Sequence, residues 1–298
     1  MTQKKDKTLY YIMAIMAGVF YGLAGPFTRV LMDGGLDNFT LCLQKNVYAL
    51  VIYFVVLLIT DKSKFRIKLQ DIWVLALNGL IGIAGVGLTL YVAFKHLTLS
   101  FATVLLCMAP VFVLIFSAIF FKEAVTRAKL GCCIAAVFGC YMVSNMPGIM
   151  TGASVSFIGL IAGIGSALCY AGLSLFSKEA TRRGYTALTV NFYSFIFSAL
   201  LLLPFSHIGQ IVTYASSQPL THNLVLIGNA VCITFIPYML QTTSLQHIEA
   251  SKVSILGSAE PVSAMIFGLI FFAEVPTLVM IAGMFIVIFA LFIVSKPQ

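Results

Sequence analysis

Glu260 is a carboxylate embedded in an apolar run, which makes it the residue whose chemistry most needs an explanation. Counted from Ser251 at 1.5 Å per helical residue, it lies roughly 14 Å along its helix, close to the middle of a bilayer. An ionised acid at that depth is costly unless it is paired or wetted. Glu260 is therefore protonated or faces a polar cavity, and either state suits proton coupling or capture of a cationic group. The structural alternative is that it holds backbone groups loosened by Pro261.

Lys45 is the second unexplained charge, near the start of an apolar run with Gln44 and Asn46 beside it. It could attract an anionic part of a solute, balance Glu260 or snorkel outward. Arg29 ends the first apolar run on a side otherwise poor in positive charge, so binding and snorkelling both fit. Lys178, its counterpart later in the chain, is expected to snorkel to headgroups. Asn78, Gly82, Gly85 and Thr89 follow at steps of four, three and four and share one helix face. That stripe lines a polar pathway or lets two helices pack closely. Asn229, Thr234, Tyr238 and Gln241 give a second stripe beside Pro237. Tyr21 and Tyr170 hold matching places in two glycine-rich runs. With Tyr91 and Tyr238 they supply the rings from which a cage for a quaternary amine would be built. Pro26, Pro110, Pro237 and Pro261 each remove a helical hydrogen bond and mark hinges or static bends. His96 and His247 fall at tight turns, where capping is the ordinary role, and Trp73 falls where an aromatic belt would lie.

Helices that cross a bilayer must hold these residues. Of 298 residues 60% are apolar and 9% charged, and the mean hydropathy is +1.03, far from the soluble range. At about 20 residues per crossing, ten spans fit near 9–31, 39–60, 70–94, 98–121, 127–145, 155–178, 187–206, 222–244, 251–272 and 277–295. Lys4, Lys5, Lys7, Lys62, Lys64, Arg66, Lys68, Lys122, Arg127, Lys129, Lys178, Arg182, Arg183, Lys252 and Lys296 then fall on one side. Arg29, Lys45 and Lys95 do not, and the intervals 33–38, 146–154 and 207–221 contain no Lys or Arg. This bias sets both termini in the cytoplasm and requires an even number of crossings.

The chain also repeats itself. Asn78 recurs as Asn229, His96 as His247, Ser100 as Ser251, Pro110-Val111 as Pro261-Val262 and Glu123 as Glu274, all at an offset of 151. Division near Pro147-Gly148 gives halves of residues 1–147 and 148–298 with five helices each. Five is odd, so the halves are inverted. The expected fold is an all-α membrane protein of ten transmembrane helices arranged as two inverted five-helix repeats.

Other classes lack their signatures. The net charge of +8 is spread over short intervals beside anionic lipid rather than clustered for nucleic acid. The seven cysteines lie in apolar runs without the paired spacing of a zinc site or disulfide framework, and no cofactor is expected. Hydrolysis within a bilayer would require paired acids, a metal motif or a nucleophile with its base, and the sequence shows none, so no enzyme is expected. Lys4, Lys5 and Lys7 ahead of an apolar run imitate a secretory signal, but that run reaches Leu31 and is long enough to span. The remaining classes are a transporter, with a receptor or scaffold as the alternative. A monomer and a homodimer are both compatible with the sequence.

The segment Leu97 to Glu123 with Pro110 mid-helix, and its copy Ile248 to Glu274 containing Ala259-Glu260-Pro261-Val262, resemble the EamA-type branch of the drug/metabolite transporter superfamily. The resemblance covers nearly the whole chain. It implies the ten-helix inverted-repeat fold and secondary transport of a small metabolite by alternating access, in the plasma or inner membrane, with protons as a possible coupling partner. Export of an amino acid or derivative is what it implies first, and uptake of a cationic solute is the alternative. Two positions depart from the family pattern: Tyr21-Gly22 stands where tryptophan-glycine is frequent, and Lys45 where arginine is common. Lysine cannot reproduce a bidentate guanidinium contact.

Overall fold

The computed structural model describes residues 2–97, 99–144 and 156–296, all built of helices and their connections, with no strand among them. Among the described residues nine helices are long and apolar enough to cross a bilayer. These are α1 (Lys7–Asp33), α2 (Asn38–Thr60), α3 (Leu69–His96), α4 (Phe101–Phe121), α6 (Phe157–Arg182), α7 (Ala187–Phe205), α8 (Pro219–His247), α9 (Ala250–Phe272) and α10 (Leu278–Ser295). Between α4 and α6 lies α5 (Arg127–Val143), of 17 residues. At 1.5 Å per residue it is about 26 Å long, slightly short of a hydrocarbon core of roughly 30 Å. The expected division at Pro147-Gly148, the termini Met1 and Gln298, and the side chain of Ser100 lie outside the described residues.

The helices interleave. α1 packs on α8 and α9, α6 packs on α3 and α4, and α2 packs on α7. α5 lies along α10, and the two backbones touch: a Cβ on Gly283 would stand 2.7 Å from the Gly139 carbonyl oxygen. Small residues permit such approach where hydrocarbon offers no solvophobic drive. The largest apolar core gathers Tyr11, Leu114, Leu245, Val253, Leu256 and Val262 from α1, α4, α8 and α9.

The repeat has a structural counterpart in where the helices are interrupted. α3 passes into a π-helical stretch at Asn78–Gly85, and α8 does so at Ala230–Phe235. α4 is broken by a turn at residues 107–108 and α9 by one at 257–258. Lys122 and Ala273, 151 positions apart, end α4 and α9 in the left-handed region with φ of 55° and 54°. Each of the four prolines sits in the first turn of a segment that follows an interruption: Pro26 in Ala24–Asp33, Pro110 in Ala109–Phe121, Pro237 in Ile236–His247 and Pro261 in Ala259–Phe272. There the missing N–H costs little. The sequence predicts bends at the prolines themselves, whereas the irregular backbone lies just upstream of each. One asymmetry stands out, since α1 is broken at residues 22–23 while α6 runs unbroken for 26 residues.

The interval 207–221, expected as loop, contains a short helix, Ile208–Ser217. Ile208, Ile211, Val212 and Ala215 have helical spacing. Tyr214 packs with Leu31, Leu36, Leu41 and Leu226, and only a glycine at position 34 leaves room for its ring, which a Cβ there would approach to 2.3 Å.

Candidate functional site

Tyr21 of α1, Tyr170 of α6, Tyr238 and Gln241 of α8, and Glu260 of α9 converge in the interior. The Tyr21 hydroxyl donates to Gln241 Oε1 at 2.7 Å, and the Tyr21 and Tyr238 rings meet edge to face at 5.6 Å. Tyr170 stands within electrostatic reach of Glu260 and Tyr238. Tyr21, Tyr170, Tyr238 and Glu260 are enclosed by protein yet keep accessible surface, as residues lining an internal space do. Lys45 of α2 is the cation whose charge reaches Glu260, and it too is only partly buried. Among the described residues neither the Lys45 ammonium nor the Glu260 carboxylate has a hydrogen bond or ion pair. A basic and an acidic side chain thus lie within electrostatic reach of each other without touching.

Local structure explains how Glu260 reaches this place. It occupies the first turn of the half-helix Ala259–Phe272, whose dipole favours negative charge at that end. α1 presses on the break through Gly18 and Gly22. A Cβ on Gly18 would lie 2.9 Å from the Gly257 carbonyl oxygen, and one on Gly22 would lie 2.9 Å from that of Glu260. The backbone carbonyls of Ala259 and Glu260 accept from Ser263 Oγ at 3.0 and 2.9 Å. The Glu260 carboxylate is accordingly not engaged by the backbone next to Pro261. On the opposite wall Phe195 lies between Tyr53 and Tyr238, with centroids at 5.6 and 5.0 Å, and Tyr53 donates to the Phe235 carbonyl at 3.1 Å.

The remaining sequence candidates lie elsewhere. Asn78 is fully enclosed, donating from Nδ2 to Ser194 Oγ at 2.8 Å and accepting at Oδ1 from Ser177 at 3.2 Å, so it ties α3 to α6 and α7. Asn229 donates to Gln44 Oε1 at 3.1 Å, and Gln44 donates to the Leu226 carbonyl at 3.0 Å, which ties α8 to α2. Both asparagines stand at the edge of a π-helical stretch and face other helices in this conformation. Thr89 donates to the carbonyl of Gly85 in its own helix at 2.7 Å. Tyr91 belongs to a separate aromatic group with Phe39 at 4.6 Å and Lys95 at 4.5 Å, apart from the other three tyrosines. Arg29 is exposed, paired with Glu274 at 3.1 Å and stacked over Phe272 at 4.4 Å. Among the described residues no group of three or more His, Cys, Asp or Glu is placed to hold a metal.

The sequence reading missed a polar network at the end of the protein where the basic residues gather. A cavity of about 430 Å³ there is lined by Lys7, Tyr11, Glu123, Lys178, Arg182 and Lys252 among others. Lys178, rather than snorkelling, donates to the carbonyls of Leu245 at 2.5 Å and Ile248 at 2.7 Å. Lys129 is buried and paired with Glu249 at 2.8 Å. Burial pushes the Glu249 carboxyl up, but Lys129 and Lys252 outweigh it and hold the group below its ordinary value. Tyr10 stacks on His247 at 3.8 Å. Repetition of Glu123 as Glu274 was the signal that could have drawn attention to this end.

Comparison with known proteins places this geometry in context. The profile of the EamA-like transporter family matches residues 8–145 and again 157–296. An uncharacterized transporter of Archaeoglobus fulgidus is 29% identical over 97% of this chain and 99% of its own. The pseudopaline exporter CntI of Pseudomonas aeruginosa is 23% identical over 95% of this chain and 98% of its own. A solved crystal structure shares the fold, with a TM-score of 0.78 at 17% identity, covering 97% of this chain and 96% of the other.

Proposed function

The chain belongs to the EamA-like transporter family, and from that premise we propose that it exports a small amphipathic metabolite, an amino acid or derivative, by alternating access. As an integral membrane protein of this family it acts on a small-molecule substrate. The observation that carries the finer reading is the unpaired Lys45 and Glu260 facing one interior lined by Tyr21, Tyr170 and Tyr238. A zwitterion fits that arrangement. Its carboxylate sits towards Lys45, its ammonium towards Glu260, and its apolar part against the tyrosine rings. Protonation of Glu260 when the site is empty gives a route for proton exchange.

The topology that accompanies this proposal counts α5 as the tenth crossing. Its contact with α10 along touching backbones supports that count, and matched interruptions support halves of residues 1–147 and 148–298 related by inversion. The basic end then faces the cytoplasm, with both termini, in a plasma or inner membrane. A second reading, uptake of a quaternary amine, is favoured by the convergence of Tyr21, Tyr170 and Tyr238 near Glu260.

Flux of amino acids and of quaternary amines into and out of proteoliposomes tests both readings. Export of a zwitterion that also raises the thermal midpoint is the expected result. Uptake of a quaternary amine alone would select the second reading, and product formation without flux would sink both.

A further inference from the structure

The N-terminus of α9 is capped by a residue from another helix. Glu123, just past the end of α4, accepts from the backbone N–H of Ala250 at 2.7 Å, from that of Ser251 at 3.1 Å and from Ser251 Oγ at 2.5 Å. The residue at the cap position, Glu249, does not cap its own helix because its carboxylate is turned to Lys129 and Lys252. The first N–H groups of α9 therefore depend on α4 staying where it is. This contact lies at the basic end, beside Lys178 bonded to the carbonyls of Leu245 and Ile248 and Tyr10 stacked on His247, and it adjoins the cavity there.

The matching corner behaves differently. Glu274 follows Ala273 as Glu123 follows Lys122, and each glutamate N–H closes the same turn, onto Ser117 and Gly268 respectively. Yet the Glu274 carboxylate goes to exposed Arg29, 18 residues beyond Tyr11 on α1, or about 27 Å along the helix. Two corners of one design thus hold different partners at opposite ends of the protein. Glu123 ties α4 to α9 and Glu274 ties α9 to α1, so the two ends are held by different pairs of helices.

We propose that Glu123 is a gating residue for transport, its carboxylate latching α4 to α9 so that the basic end of the route stays closed until the latch releases. The inference rests on the transport reading, to which it adds a residue that never touches solute. Release breaks three hydrogen bonds to a carboxylate, so the latch biases the closed state without fixing it.

Cys107, at the break in α4 and within reach of the charge on Glu260, is a native reporter of the interior. Labelling of Cys107 by a membrane-impermeant maleimide is measured from each face, in vesicles of both orientations, beside solute flux. Glu123→Gln should raise labelling from the basic face on the order of tenfold, and Glu123→Asp should restore it towards the wild-type level. If Glu123→Gln does not fold, Ser251→Ala, which removes one donor, should give a smaller rise from the same face. Unchanged labelling in a folded variant, or an equal rise from both faces, overturns the proposal. A one-sided rise in a protein that moves no solute supports the latch and sinks the transport reading instead.

Discussion

Tyr21 donates its hydroxyl hydrogen to Gln241 Oε1 across 2.7 Å, joining α1 to α8 beside Glu260. The bond ties a broken helix of the first half to the proline-bearing stretch of the second. The Tyr21 ring also meets the Tyr238 ring edge to face at 5.6 Å, so the same side chain makes a polar and an aromatic contact with α8.

Glu260→Gln keeps the shape of the side chain and removes its charge. Because the carboxylate has no partner among the described residues, folding in detergent should be unchanged. Affinity for an amine-bearing solute should fall about tenfold to a hundredfold, the value of a charge-assisted hydrogen bond. Calorimetry and initial flux rates measure the two effects. A matching collapse of thermal stability would instead make Glu260 a structural residue.

Lys45→Gln should discriminate between solutes. Binding of a zwitterion should weaken, whereas its decarboxylated amine should bind as before, since only the first offers an anion to Lys45. Parallel loss for both solutes would place the carboxylate contact elsewhere.

Asn78→Ala should act on stability rather than on affinity. It strands the Ser177 hydroxyl and takes a donor from Ser194 Oγ, a loss of about 1–3 kcal/mol, and Asn229→Ala should do the same through Gln44. Thermal midpoints together with the KM for flux separate the effects. A shifted KM at an unchanged midpoint would put the asparagines on the pathway in another conformation.

Gly283→Ala tests the seating of α5. The new Cβ would stand 2.5 Å from that of Met142 as well as near the Gly139 carbonyl, so the helices must part. Overpacking of this kind costs about 1–3 kcal/mol. A midpoint equal to wild type would show that the α5–α10 contact is loose.

Acid should loosen the basic end. Glu249 is held below its ordinary value by Lys129 and Lys252 against the opposing effect of burial. The folded state therefore binds its proton less readily than the unfolded chain. The contribution to stability is complete above the unfolded value of ~4.3 and disappears as pH falls through the lower folded value. Thermal midpoints measured downward from pH 6 should fall more steeply in wild type than in Glu249→Gln. Parallel curves would remove Glu249 from the account.

Membrane embedding and the repeat were legible in the letters because each is a property of order along one chain. Hydropathy accumulates over about 20 residues, and an offset of 151 needs no geometry to be seen. Expected span limits came close to the observed helices for the same reason. Partnership between side chains was not legible. Helical spacing grouped Asn78 with Gly82, Gly85 and Thr89, and that face does pack as one along α6, on Ser177, Leu173, Cys169 and Gly165 in turn, but spacing could not say which helix it would meet. Four tyrosines qualified by type, and only the crossing of α1, α6 and α8 separated Tyr91 from the other three. Glu123 and Glu274 have equivalent places in the repeat, yet one caps α9 and the other pairs with Arg29. A contact between residues more than 100 positions apart depends on how helices rotate and cross, and packing of the whole chain sets those angles.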